Sequence, residues 1–337
     1  MRLATQIAIV AACLLVFLGL GTVCQPSSSS LPPAPQGDPP GGGAEIVIDD
    51  VRVLLTEFLP TGYAEDASVD YSVELRAAAR AAEHGVLVLP DFPVLVSRAA
   101  GEHWCVRLTA PTTIAGTTGS ALVVLQDDVQ VLRAEGVDGL VLRDFRVVGT
   151  GNDGAGLAHG LVQVFQGSDL RIEGLRIEDA DADGIAVARV RGVTIEDCVV
   201  TNASKAALYV NHSERVHVRG NTVVDFGGHR TAANEVIGVG VQLSGNVDLV
   251  CSDNVVAGGV GVGILCNALA GGDAPVGNVL AGNRVRGVAN PTNPGASSGI
   301  RLANGSGETF TQTVVRGNSI RGCGRYGIYV ENHDGAL

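Results

Sequence analysis

One phrase recurs down the second half of this chain and limits its folding more than any other feature. It reads hydrophobic, any residue, hydrophobic, two residues, Asn, any residue, hydrophobic. It runs through Val216, Val218, Asn221 and Val223, then Leu249, Cys251, Asn254 and Val256. It returns around Leu280, Asn283 and Val285, and at Thr313, Val315, Asn318 and Ile320. Three earlier copies keep the frame with Phe145, Leu175 and Cys198 at the Asn position. A second phrase precedes the copies, a small residue followed by alternating apolar residues: Gly184-Ile185-Ala186-Val187, Ala207-Leu208-Tyr209-Val210, Gly240-Val241-Gln242-Leu243, Gly263-Ile264-Leu265-Cys266, Gly299-Ile300-Arg301-Leu302 and Gly327-Ile328-Tyr329-Val330. Thirteen residues separate Ile185 from Cys198, Leu208 from Asn221 and Val241 from Asn254. A period of this length marks a solenoid.

Alternation with period 2 marks a strand with one buried face. Each coil therefore consists of a first strand, a bend, a second strand, an Asn turn and a short third strand. Stacked coils stand about 4.8 Å apart, so equivalent positions form columns. Asn221, Asn254, Asn283 and Asn318 form one inner column whose amides satisfy each other and the turn backbone. Ile172, Ile195, Val218, Cys251, Leu280 and Val315 form an apolar column beside it. The 46 glycines supply turn positions that need positive φ. No helix-period segment follows residue 85.

These residues resemble the right-handed parallel β-helix proteins of the pectate-lyase-like superfamily, which includes polygalacturonases and other carbohydrate-active proteins. The stretch from Tyr71 to Pro90 is similar to the N-terminal helix and first strand of that superfamily. Leu75, Ala79 and Ala82 share one helical face there, and Gly85 is the expected stop. The resemblance covers residues 45–337. It implies an all-β fold, a single right-handed parallel β-helix whose open N-terminal end is capped by an α-helix. It also implies polysaccharide as ligand, with lyase, hydrolase or epimerase chemistry as the enzymatic options. A non-catalytic envelope protein is the alternative, whether for glycan binding, structure or periplasmic accessory work. The superfamily's paired aspartates with Gly-His-Gly and the epimerases' Asp-Pro-His are both missing; Ala158-His159-Gly160 is a partial echo.

Ile7–Leu20 is an apolar run of signal-peptide length. Cys24 follows it, placed as in a lipoprotein acylation site, with Val23 where a small residue is usual. The chain thus divides into an export leader (1–24), a Pro/Gly/Ser-rich tether (25–44) and the β-helix (45–337). The expected location is outside the cytoplasm: an envelope lipoprotein, or a secreted or periplasmic protein touching membrane only through the leader. The net charge of −12 argues against nucleic acid. Of seven cysteines, Cys13 and Cys24 lie in the leader; the other five make no spaced framework, and Cys198, Cys251 and Cys266 read as small core residues. A partner covering the C-terminal coil is a further expectation.

Function belongs on outward positions and interrupting loops. The outward residues of the first strands are Tyr209, Asn211, Gln242, Ser244, Leu265, Asn267, Arg301, Ala303, Tyr329 and Glu331. Five coils give a floor of roughly 20 Å, room for about four sugars. Loops 226–239, 287–298, 268–276 and 304–312 wall it, and Tyr209, Phe226, Phe310, Tyr326 and Tyr329 supply rings for sugar faces. The substrate-binding candidates are Tyr209, Asn211, Gln242, Asn267 and Tyr329. Elimination at a uronate needs a base and a group that neutralises the carboxylate. Arg301, His229 and Glu331 are the catalytic candidates, with His212, Arg230, Glu235, Glu308, His333 and Asp334 nearby. Hydrolysis needs two flanking carboxylates, and no motif fixes such a pair. Asp179, Asp181 and Asp183 before Gly184 resemble the opening of a calcium loop, although the late glutamate of an EF-hand is replaced by Val190. No cofactor is required; Ca²⁺ is an optional ligand.

Overall fold

The computed structural model describes residues 51–151, 160–230, 236–268, 276–291, 293–304 and 312–331. The leader and tether lie outside them. Nearly every strand pairing is parallel. The exception among the described residues is His229–Arg230 with Val236–Ile237, which is antiparallel. First and second strands join in one large sheet, and nine third strands, from Pro93–Leu95 to Ser319–Arg321, form another. The Val- and Ile-rich strands close around a continuous apolar interior.

The expected columns form as the spacing requires. Ile172 lies beside Ile195, Ile195 beside Val218, Val218 beside Cys251, Cys251 beside Leu280 and Leu280 beside Val315. Five of the six are wholly buried, Val315 partly so. Each such side chain is worth roughly 1.5–3 kcal/mol of hydrophobic stabilisation. The amide ladder is continuous. Asn221 Nδ2 donates to Asn254 Oδ1 (3.0 Å), Asn254 Nδ2 to Asn283 Oδ1 (2.9 Å) and Asn283 Nδ2 to Asn318 Oδ1 (2.9 Å). The same Nδ2 groups also donate to Ile195 O, Val218 O and Cys251 O, each at 2.9 Å. Each Oδ1 takes a backbone N–H as well, from Cys198, Asn221, Asn254 and Asn283 in turn. Buried amides stay in the core because every one of these groups is used.

The N-terminal helix, α1 (Ser72–Ala81), buries Leu75, Ala78 and Ala79, with Ala82 just beyond, against the first coils. Asp70 accepts the Ser72 N–H at 2.9 Å and the hydroxyls of Ser72 and Ser97, fixing the helix start to the neighbouring coil. Arg76 reaches Cys105 O at 3.0 Å.

Three expectations need correction. Gly85 is not the left-handed stop: His84 takes that conformation (φ +63°). Gly85 is instead required because a Cβ there would lie 2.2 Å from Val51 O. Phe226 does not wall the floor. It ends strand Thr222–Phe226 with its ring in the core, 1% exposed, over Gly259. Finally, the bend does not end the ladder in Val162–Glu173 and Ile185–Glu196: first and second strand run on through left-handed Gln166 and Asp169, and through Arg189 and Gly192.

The turns hold a pattern that spacing alone did not reveal. Among the described residues eight left-handed positions are filled by Asp, and six of these aspartates lie beside a left-handed Gly on the next coil. Asp144 lies under Gly174, Asp197 under Gly220 and Asp253 under Gly282; the other turns pair Asp169 with Gly192, Asp225 with Gly258 and Asp248 with Gly277. A Cβ on any of these six glycines would sit between 2.4 and 3.0 Å from the carboxylate oxygen one coil away. Asp tolerates the left-handed region, and its side chain occupies the space the next glycine leaves open.

Candidate functional site

The period-2 phase of the first strands puts two outward rows in register. Tyr209, Gln242, Leu265, Arg301 and Tyr329 stand side by side on consecutive coils. So do Asn211, Ser244, Asn267 and Ala303, with Glu331 next, its N–H bonded to Leu302 O at 2.9 Å. At about 4.8 Å per coil the rows form a ladder of polar and aromatic side chains.

The rows are cross-linked. Asn211 Nδ2 donates to Tyr209 Oη at 2.9 Å. Gln242 Nε2 donates to Ser244 Oγ at 3.3 Å, and Ser244 Oγ to Asn267 Oδ1 at 2.6 Å. Burial, and secondarily the Asp183 carboxylate, raises the Tyr209 phenol above its ordinary pKa, so it stays protonated and can donate. At the far end Arg301 Nη2 bonds Glu331 Oε2 at 2.9 Å, and the Arg301 guanidinium carbon stands 5.3 Å from the Tyr329 ring centre. Tyr326 stacks on Tyr329 (centroids 4.9 Å apart, planes 18° apart), and Arg325 lies 5.0 Å from the Tyr326 ring centre. Cation and ring attract one another, so the stack fixes the guanidinium. With Tyr326 and Arg301 already against its ring, Tyr329 presents mainly its edge and hydroxyl. Two polar atoms, Asn211 Oδ1 and Arg301 Nε, are buried without a hydrogen-bond partner.

All seven predicted floor candidates other than His229 thus come together: Tyr209, Asn211, Gln242, Asn267, Arg301, Tyr329 and Glu331. The backbone of His229 lies in the short antiparallel pair; its side chain lies outside the described residues, as do Glu235, Glu308, Phe310, His333, Asp334 and Cys24. His212 takes the left-handed bend position (φ +44°), its ring 3.0 Å from where a Gly245 Cβ would lie. The acidic triplet is spread over backbone and neighbours. Asp179 takes the Asn202 amide at 2.7 Å. Asp181, 3% exposed, accepts the Asp128 N–H at 2.8 Å and both the N–H and hydroxyl of Thr150. Asp183 accepts the Ala206 N–H at 3.0 Å. Among the described residues no three His, Cys, Asp or Glu side chains converge as a metal site requires.

The floor also extends further than the sequence indicated. The outer row continues through Ala186 and Gln163 to Arg133 and Arg107. Ala186 and Gln163 are only 5% and 2% exposed, which closes the floor there. Beyond them Trp104 carries Arg133 and Arg107 at 5.1 and 5.8 Å from its ring, and Glu135 pairs with both guanidiniums. The signal was present, since Arg107 stands between inward Val106 and Leu108, and Arg133 between inward Leu132 and Ala134. No glycine phrase introduces that coil, however.

Residues 150–337 match the family described as the right-handed β-helix region. Among solved structures, the A-module of the mannuronan C-5 epimerase AlgE6 of Azotobacter vinelandii aligns at 17% identity, covering 80% of this chain and 77% of that one, with a TM-score of 0.56. The AlgE4 A-module of the same organism aligns at 16% identity over 84% and 100% of the two chains, with a TM-score of 0.32. The surface adhesin PfbA of Streptococcus pneumoniae aligns at 9% identity over 84% and 93%, with a TM-score of 0.33. No curated protein matches the sequence. The parallel register, the stacked asparagines and the family match over more than half of its length agree: the chain belongs to the right-handed β-helix family.

Proposed function

We propose that this protein binds a polysaccharide along the first-strand floor and modifies it there. The observation that carries this reading is the registered double row from Tyr209 to Glu331. It presents hydrogen-bonding side chains at intervals of about 4.8 Å, close to the pitch of a sugar chain, and ends in a guanidinium held by a tyrosine. Arg301 is the carboxylate clamp for a uronate, Tyr329 and Tyr209 offer phenol hydroxyls, and Gln242, Asn211 and Asn267 hold sugar hydroxyls. Among the described residues Glu331 is the only acid in these rows from Tyr209 onward. One cation and one base suit proton removal beside a uronate carboxylate, the step that elimination and epimerisation share, better than hydrolysis, which needs two flanking carboxylates. His229 or Glu331 is the base in this scheme. Export, an envelope location, acylation at Cys24 and an auxiliary Ca²⁺ complete the proposal. The epimerase named above supports the choice of substrate only by sharing the fold.

A second reading, glycan binding without catalysis, is favoured by one observation: Glu331 is already engaged by Arg301. A polysaccharide panel separates the two. Pectate, alginate, hyaluronan and neutral glycans are tested with Ca²⁺ and with chelator, read by affinity electrophoresis, ultraviolet absorbance of unsaturated ends, reducing ends and NMR of sugar configuration. The expected outcome is retention by an acidic polysaccharide that Arg301→Ala and Tyr329→Ala each weaken at least tenfold. Retention without product supports the binding reading. Absence of retention, or retention that both variants leave intact, removes the floor from consideration.

A further inference from the structure

The last coils carry charge opposite to that of the rest of the chain. Residues 276–331 contain six arginines, at 284, 286, 301, 316, 321 and 325, and two acids, Glu308 and Glu331, within a chain of net charge −12. Arg301 and Glu331 neutralise each other. Arg284, Arg286 and Arg321 form no ion pair among the described residues. They are exposed on the outer face of the third-strand sheet, where Arg284 lies opposite Ser319 and Arg286 opposite Arg321. With Ser319 they line a groove of about 280 Å³.

Like charges directly opposite on neighbouring strands destabilise a sheet. Earlier in the same sheet Arg146, in the same outward row as Arg284, stands directly opposite Arg176, and one carboxylate relieves that pair: Arg146 is forked onto Glu178 by bonds of 3.1 and 2.9 Å. Among the described residues no such carboxylate is supplied to the later trio. A local rule broken without internal compensation points to a ligand from outside. The donor set indicates its class. One arginine fork saturates one carboxylate, as Arg146 does Glu178. Three guanidiniums around one groove, plus a hydroxyl, offer more donors than a carboxylate accepts and suit a tetrahedral oxyanion.

We infer that the groove between Arg284, Arg286, Ser319 and Arg321 binds a phosphate or sulfate group, free or as an ester on a polymer. The site is on a different sheet from the floor, and its occupation does not depend on the floor's ligand. The acidic remainder of the surface repels polyanions, which directs their approach to this end of the molecule.

The test is titration calorimetry on the full chain with sodium sulfate, potassium phosphate, dextran sulfate and uncharged dextran, in a low-chloride buffer. Dextran sulfate is expected to bind and uncharged dextran not to. Arg286→Gln with Arg321→Gln should weaken sulfate-class binding at least tenfold, Arg286→Lys by less, and the distant exposed Arg80→Gln by less than twofold. Circular dichroism checks that each variant is folded. Binding of the small anions alone would identify a free oxyanion as the ligand, and binding of the polymer alone an ester. Equal affinity in the double variant and the wild type, equal binding of neutral dextran, or no binding of any of the anions overturns the inference.

Discussion

Asn254 shows how much one side chain carries in a solenoid. It accepts from the Asn221 N–H and amide, and donates to Val218 O and Asn283 Oδ1, all without solvent contact. Truncation to Ala leaves several buried groups unsatisfied, each costing about 1–3 kcal/mol. Asn254→Ala should therefore lower stability by about 3 kcal/mol or more, read as the urea midpoint. Gly220→Ala should cost about 1–2 kcal/mol by a different route, because φ is +68° and the new Cβ would meet Asp197 Oδ1 at 2.6 Å. A midpoint unchanged in either variant would contradict the turn accounting. The Asn column was legible because its residue type repeats in frame. The Asp–Gly contacts were not, because the residue type at the turn varies from coil to coil while only φ and the space repeat.

At the level of elements, the capping helix was readable from Leu75, Ala79 and Ala82, but its anchoring was not. Asp70 is held by Ser97, 27 residues away, a distance no periodic pattern spans. Burial raises the Asp70 pKa, but the hydrogen bonds from Ser72 and Ser97 prevail and hold it below the ordinary carboxylate value. A carboxylate depressed in the folded state stabilises at pH above its unfolded value, and that contribution is lost as pH falls through the folded one. Asp70→Asn should cost about 0.5 kcal/mol at neutral pH, the low end for a cap on an exposed residue. It should also flatten the acid limb of melting temperature against pH. An unchanged acid limb would show that the cap contributes no pH-dependent stability. The floor was legible because alternation assigns one face to each residue. Phe226 was misplaced because it falls where a third strand runs out and alternation no longer tells inside from outside. Likewise, the bonds that Thr150 and Asp128 give Asp181 come from other coils, 31 and 53 residues away.

Seen whole, the β-helix body is an unbroken apolar interior wrapped in a polar skin, and its cysteines report on that interior. Burial pushes the thiols of Cys105, Cys198 and Cys266 up to about 12, and raises Cys251 further. The thiolate is the reactive form. Alkylation of the native protein at pH 8, mapped by peptide mass spectrometry, should therefore label Cys323 and spare these four until denaturant is added. Labelling of Cys251 under native conditions would reveal an opening of the stack. The contact of such an aspartate with a glycine on the next coil also bears on how the chain can lengthen or shorten. Removing the coil that carries Gly220 would set Asp197 beside Asp253, two carboxylates in adjacent turns. Removing the coils of Gly220 and Asp253 together would set Asp197 beside Gly282 and keep the contact. At that turn the unit of change at little structural cost is a pair of coils, twice the repeat that the asparagines announce.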